Sequence, residues 1–257
     1  SMRVCFRFAS DQTRPQFEDP KGPNYTTIEA SNNAVLTYHY DPKGNVRPWD
    51  RTLYIKVVRG FLREGDKITI TFGDRSGGSP GMRLQTFCED SYEFHTLIDP
   101  IATYCYQPMP VQPVIKIIPG KPDRYLAVAP TIRAIDESFS IKFKGEDKWG
   151  NPSDQCDIKL YPRASHPVKN LPDMISLKPG EFFGVIDGLS VADAADLHID
   201  FLDDAGALMC RTNPIRIESA PLSRHFWGDL HGQSEETIGT GSAEAYFAFA
   251  RDYAFVD

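Results

Sequence analysis

The sequence predicts a mostly β protein: two antiparallel β-sandwich modules in series, followed by a single strand–loop–helix unit. Three observations carry that expectation. Short runs with an apolar residue at every second position recur between Ala34 and Ile217, and turn residues separate them. The composition agrees, because 19 glycines, 20 prolines and 12% aromatic residues favour turns and short strands over long helices. After Pro221 the period changes, and apolar residues then fall at i, i+3 and i+4.

Residues 1–33 read as an irregular N-terminal arm. Pro15, Pro20, Pro23 and Gly22 break any period, and Phe6, Phe8 and Phe17 are its expected anchors. The first sandwich module is expected over 34–118. Val35 to Tyr40 is strand-like and Asp41-Pro42-Lys43-Gly44-Asn45 is a turn. Leu53, Ile55 and Val57 mark a second strand, and Ile68, Ile70 and Phe72 a third with one polar face. Weaker strands are expected around 84–87, 94–98 and 114–118.

Inside this module lies Gly73-Asp74-Arg75-Ser76-Gly77-Gly78-Ser79-Pro80-Gly81, the most loop-like stretch of the chain. It is not a phosphate-binding P-loop, which ends in Gly-Lys-Ser/Thr, because no lysine is present. Successive backbone N–H groups beside Arg75 can still form an anion-binding nest. Two readings stay open for Arg75, Ser76, Gly77 and Gly78: a structural loop, or a contact to substrate or to another domain.

Pro108, Pro110, Pro113, Pro119 and Pro122 mark a stiff crossing, and the module boundary is placed at 118/119. The second sandwich is expected over 119–221. Phe139, Ile141 and Phe143 alternate with polar residues. Further strands are expected at 158–160, 182–186, 197–202, 207–210 and 215–217. Asp147-Lys148-Trp149-Gly150-Asn151-Pro152 resembles the Gly-Asn-Pro corner of bacterial immunoglobulin-like domains, which implies an immunoglobulin-like sandwich here. His198 alternates with Asp196 and Asp200. That spacing suits a metal, but a polar strand face explains it more cheaply.

The last segment, 222–257, carries the chemistry. Phe226-Trp227-Gly228-Asp229-Leu230-His231-Gly232-Gln233-Ser234 reads as an apolar strand ending in polar, metal-competent side chains. On an extended strand Asp229, His231 and Gln233 point to one face. A helix is expected from about Ser242 to Ala254, with Ser242 as cap and Glu244 in its first turn. The string W-G-D-L-H-G-Q-S resembles the first motif, D-L-H-x-H-[ST], of the PHP (polymerase and histidinol phosphatase) metal-dependent hydrolases. More closely, 226–257 resembles a domain-of-unknown-function family with a PHP-like C-terminal part. The resemblance implies that His231 is a metal ligand and that Asp229 orients it or ligates as well. Gln233 stands where the family has a second histidine, and an amide oxygen is the weaker ligand.

PHP-like domains resemble distorted β/α barrels, which need on the order of 200 residues. Only one strand and one helix of such a barrel fit here. The expectation is therefore the N-terminal accessory region of a hydrolase plus the front of a truncated catalytic barrel, inactive alone. In the full-length protein the resemblance implies a divalent metal (zinc, manganese or iron), a metal-activated water, and a phosphoester or related small-molecule ester as substrate. The alternative is a non-catalytic sandwich module for homo-oligomerisation or for holding a polymer.

Charge narrows the partners. The net charge is −7, and 222–257 holds six acids against two bases. Nucleic acid needs a basic face and is not expected. The five cysteines include no C-x-x-C pair, so neither a disulfide scaffold nor a structural zinc site is expected. Arg3, Arg7 and Arg14 interrupt any apolar leader, and no stretch reaches the ~20 apolar residues of a membrane span. No membrane partner and a cytoplasmic location are the expectation. No G-x-S-x-G elbow is present for a serine hydrolase.

Overall fold

A computed structural model describes residues 1–239 and 241–256. The chain divides into two units, 1–118 and 119–257, each with its own core. Both are built from short strands, and most pairs are antiparallel.

In the first unit the strands are β1 (Met2–Phe6), β2 (Thr26–Ala30), β3 (Val35–Asp41), β4 (Arg51–Arg59), β5 (Ile68–Phe72), β6 (Glu89–Glu93), β7 (His95–Ile98), β8 (Gln107–Pro108) and β9 (Val114–Ile117). The main sheet runs β3-β4-β1-β7-β8, and β2–β5 and β6–β9 form two antiparallel pairs. Alternation sets the inner face: Val4, Phe6, Leu53 and Ile55 are buried together, with Ile28 from β2. Phe72 and Phe94 stack on each other and meet the Phe6 ring edge-on.

Two expectations fail in this unit. The N-terminal residues are not an arm, because β1 lies in the middle of the main sheet, paired with β4 on one side and β7 on the other. Val4 and Phe6 do alternate, but the run is only five residues long, and the prolines that suggested irregularity begin later, at Pro15. Residues 84–87 form no strand either. Buried Gln85 donates to the Phe87 carbonyl and to Glu89, which folds that stretch on itself.

The second unit holds β10 (Arg124–Val128), β11 (Ile132–Ala134), β12 (Phe139–Glu146), β13 (Ile158–Ala164), β14 (Ile175–Leu177), β15 (Phe183–Leu189), β16 (Ala195–Leu197), β17 (Ile199–Leu202), β18 (Leu208–Arg211) and β19 (Ile215–Glu218). Its sheets run β10-β12-β15, β14-β13-β17-β18 and β11-β19-β16; β11 and β19 are parallel. Ile141, Phe143, Leu160, Leu189, Ile199, Phe201 and Ile215 from these sheets fill one core. Each such side chain contributes about 1.5–3 kcal/mol by leaving water.

The Gly-Asn-Pro corner after β12 is held by Asp147. Its buried carboxylate accepts from the N–H groups of Gly120, Trp149 and Asn151 and from the Asn151 amide. Gly150 supplies the positive φ of +88° that the reversal requires.

After β19 the expected strand from His225 is not formed. Residues 222–233 form neither helix nor strand, and no described residue pairs with their backbone in a ladder. A strand is defined by that pairing, so an apolar sequence alone does not make one. The expected helix is present as α1 (Ala243–Phe249), running on into a wider π-helical turn over Ala250–Ala254. The Ser242 hydroxyl caps it by accepting from the Ala245 N–H. Two lysines on the outer face of β12 hold its far end: Lys142 donates to the Arg251 carbonyl and Lys144 to the Tyr253 carbonyl. Phe255 is buried beneath, near both lysines and the Phe183 ring. Among the described residues no helix is long and apolar enough to cross a membrane.

Candidate functional site

The candidate site is the bend at Asp229–Gln233. The Asp229 carboxylate accepts from the His231 backbone N–H at 2.9 Å and lies 2.8 Å from His231 Nδ1. One carboxylate oxygen therefore fixes both the turn and the ring. The two contacts from His231 hold the Asp229 carboxyl below the usual carboxylate range. With Nδ1–H donated to Asp229, the tautomer that this contact selects leaves the Nε2 lone pair facing outward. The His231 side chain is 95% exposed and Asp229 64% exposed. Gly232 brings the bend against α1, where an added Cβ would stand 2.4 Å from the Tyr246 ring.

The bend changes the predicted geometry. Asp229, His231 and Gln233 do not line one strand face. Gln233 instead turns into the following loop, where its Oε1 accepts from the Thr237 hydroxyl at 2.6 Å. The Ser234 carbonyl accepts from the N–H groups of Thr237 and Gly239, so the loop closes on itself. Asp229 and His231 are brought together; Gln233 is not.

As a donor set this is one imidazole and one carboxylate. A catalytic metal takes three protein ligands and keeps a further position for water or substrate. Among the described residues no group of three or more His, Cys, Asp or Glu side chains is placed to hold an ion. The residues present do not fit a resident catalytic metal without further ligands.

The chain matches no family model and no curated protein. Among solved structures it is similar to FdeC, an adhesin of Escherichia coli. That match has 12% identity and a TM-score of 0.27, and covers 76% of this chain and 54% of the adhesin. The chain thus spans about half the length of that protein, and a likeness this distant carries no argument.

The glycine-rich loop belongs to the first unit. Asp74 accepts from the Ser76 N–H at 2.9 Å and from the Thr27 hydroxyl at 2.8 Å, and the Gly78 N–H donates back to the Arg75 carbonyl. Gly77 lies against Pro20 and the Arg75 guanidinium lies beside Gly81. Hydrogen bonds to Ser76 and Thr27 hold the Asp74 carboxyl low. The N–H groups of Ser76 and Gly78 that a nest would offer are thus spent inside the loop.

The Asp196–His198–Asp200 spacing is only partly kept: Asp196 pairs with Arg216 and Asp200 with Arg211, while His198, between β16 and β17, lies 4.0 Å from Asp200. Sequence reasoning missed Lys142, Lys144 and Phe255 as a docking point. The signal was present, since two lysines alternate on one face of β12, but a lysine strand face ordinarily means solvent.

Proposed function

We propose that this chain is the N-terminal accessory region of a PHP-like metal-dependent hydrolase acting on a phosphoester or related ester. In this reading His231 is one ligand of a metal centre whose other ligands lie outside this sequence. Asp229 is the orienting carboxylate, and Gln233 is not a ligand. The supporting observation is the Asp229–His231 pair, an imidazole held by a carboxylate at Nδ1 with Nε2 presented outward. Metal-binding histidines are oriented in this way. The apolar run beside it agrees: Leu222, Phe226, Trp227 and Leu230 are each at least 64% exposed, which suits a segment covered by further polypeptide.

The test compares this chain with a longer polypeptide that carries it, using a phosphomonoester and a phosphodiester as substrates. The reading expects hydrolysis by the longer polypeptide only, and its loss in H231A. Equal hydrolysis by the short chain refutes it.

The same exposed apolar run favours a second reading, a non-catalytic module that self-associates. Solution mass separates the two. A stable oligomer that dissociates in L230D supports the second, and a monomer supports the first.

A further inference from the structure

A cavity of about 560 Å³ opens within the second unit, between the start of β12 and the C-terminal segment. That volume is within the ~300–1,000 Å³ range of small-molecule sites. Its apolar wall is built from three separate stretches: Phe139 at the start of β12, Trp227 from the irregular run after β19, and Phe255 near the chain end. Phe255 is seated by the β12 lysines, so the wall is fixed by the same contacts that hold the segment.

The charged side chains at the cavity share one sign: Arg133 and Lys142 line it, and among the described residues no acid does. The neighbouring carboxylates have partners: Glu137 is bound by Arg224 with Arg133 3.9 Å away, Asp187 takes the Ser140 hydroxyl at 2.5 Å, and Asp252 pairs with Arg251 while also feeling the Lys142 charge. Lys142 spends one N–H on the Arg251 carbonyl at 2.7 Å, which leaves two of its three donors. Thr131 also lines the cavity, although its hydroxyl oxygen is buried away from that space and has no hydrogen-bond partner.

We propose that this cavity binds a small amphipathic anion. Its flat apolar body lies among Trp227, Phe255 and Phe139, and one carboxylate or phosphate group faces Lys142 and Arg133. The inference rests on the sandwich and its docked segment and is independent of the metal reading.

Isothermal titration of the chain with phenyl phosphate, benzoate and neutral benzyl alcohol tests it, in EDTA so that no metal contributes. One anion or the other should saturate at millimolar concentration or below, and the stronger of the two identifies the headgroup. Benzyl alcohol should bind at least about tenfold more weakly, by loss of the charge-assisted contacts. K142M should lower the anion affinity about tenfold. R133M, which leaves the contacts of the docked segment untouched, should lower it several-fold. Equal binding of the neutral and anionic probes, no saturation by either anion, or unchanged affinity in R133M would overturn the proposal.

Discussion

At Asp147 one carboxylate closes a chain reversal that backbone alone could not. Burial acts to raise its pKa, but the Asn151 amide and the N–H groups of Gly120, Asn151 and Trp149 outweigh it and hold the carboxyl below its ordinary value. A depressed folded pKa means that the contribution is complete above the unfolded value, about pH 4, and is lost as acidification passes the folded one. D147A leaves those donors unpaired and should cost about 1–3 kcal/mol at neutral pH, read by urea unfolding. The difference from wild type should shrink below pH 4. The cysteines give a second residue-scale outcome. Burial raises the Cys5 and Cys156 thiols and pushes Cys210 up to about 12, whereas Cys88 and Cys105 are exposed. A thiol reagent at pH 8 should label Cys88 and Cys105 rapidly and the other three only on unfolding. At this scale the sequence was informative about Asp229 and His231, because an acid two residues before a histidine can reach its ring. It was silent on Thr131, whose unpaired hydroxyl depends on residues distant in the chain.

Among elements, the alternating strands of both sandwiches were readable because burial on one face leaves a period of two. The exceptions have local causes. The first strand is too short for its alternation to stand out, and 222–233 is apolar enough for a strand but has no ladder to join. The helix was readable from its cap and stripe, yet the seating of its C-terminal turn was not, since the lysines bonded to its carbonyls lie 109 residues away in sequence. Lys144 is buried, stands 2.9 Å from Glu146, and reaches the Tyr253 carbonyl as well. K144M removes the carbonyl contact while Arg124 still pairs with Glu146. Hydrogen exchange over 249–256 should then rise roughly tenfold or more, the loss of about 1.4 kcal/mol or more of local stability, while β12 to β19 keep their protection. F255A should do the same. Unchanged exchange in both variants would mean that the segment is not held by this contact.

For the whole molecule, two β units with separate cores are joined in sequence at 118/119, within the proline-rich stretch. The acidic balance of −7 gives nucleic acid no basic footprint. The exposed apolar run from Leu222 to Leu230 is the surface feature that an isolated domain would be expected to cover. Sequence pattern predicted the sandwiches, because a hydrophobic face must be buried somewhere. It could not supply a metal centre, because ligands converge through tertiary structure and only one imidazole of the proposed set lies in this sequence. The most direct measurement is the metal content of the longer polypeptide after dialysis, beside that of its H231A variant and of this chain. The account predicts stoichiometric divalent metal in the longer polypeptide, a large loss in H231A, and none retained by this chain. Full metal occupancy in H231A would contradict it.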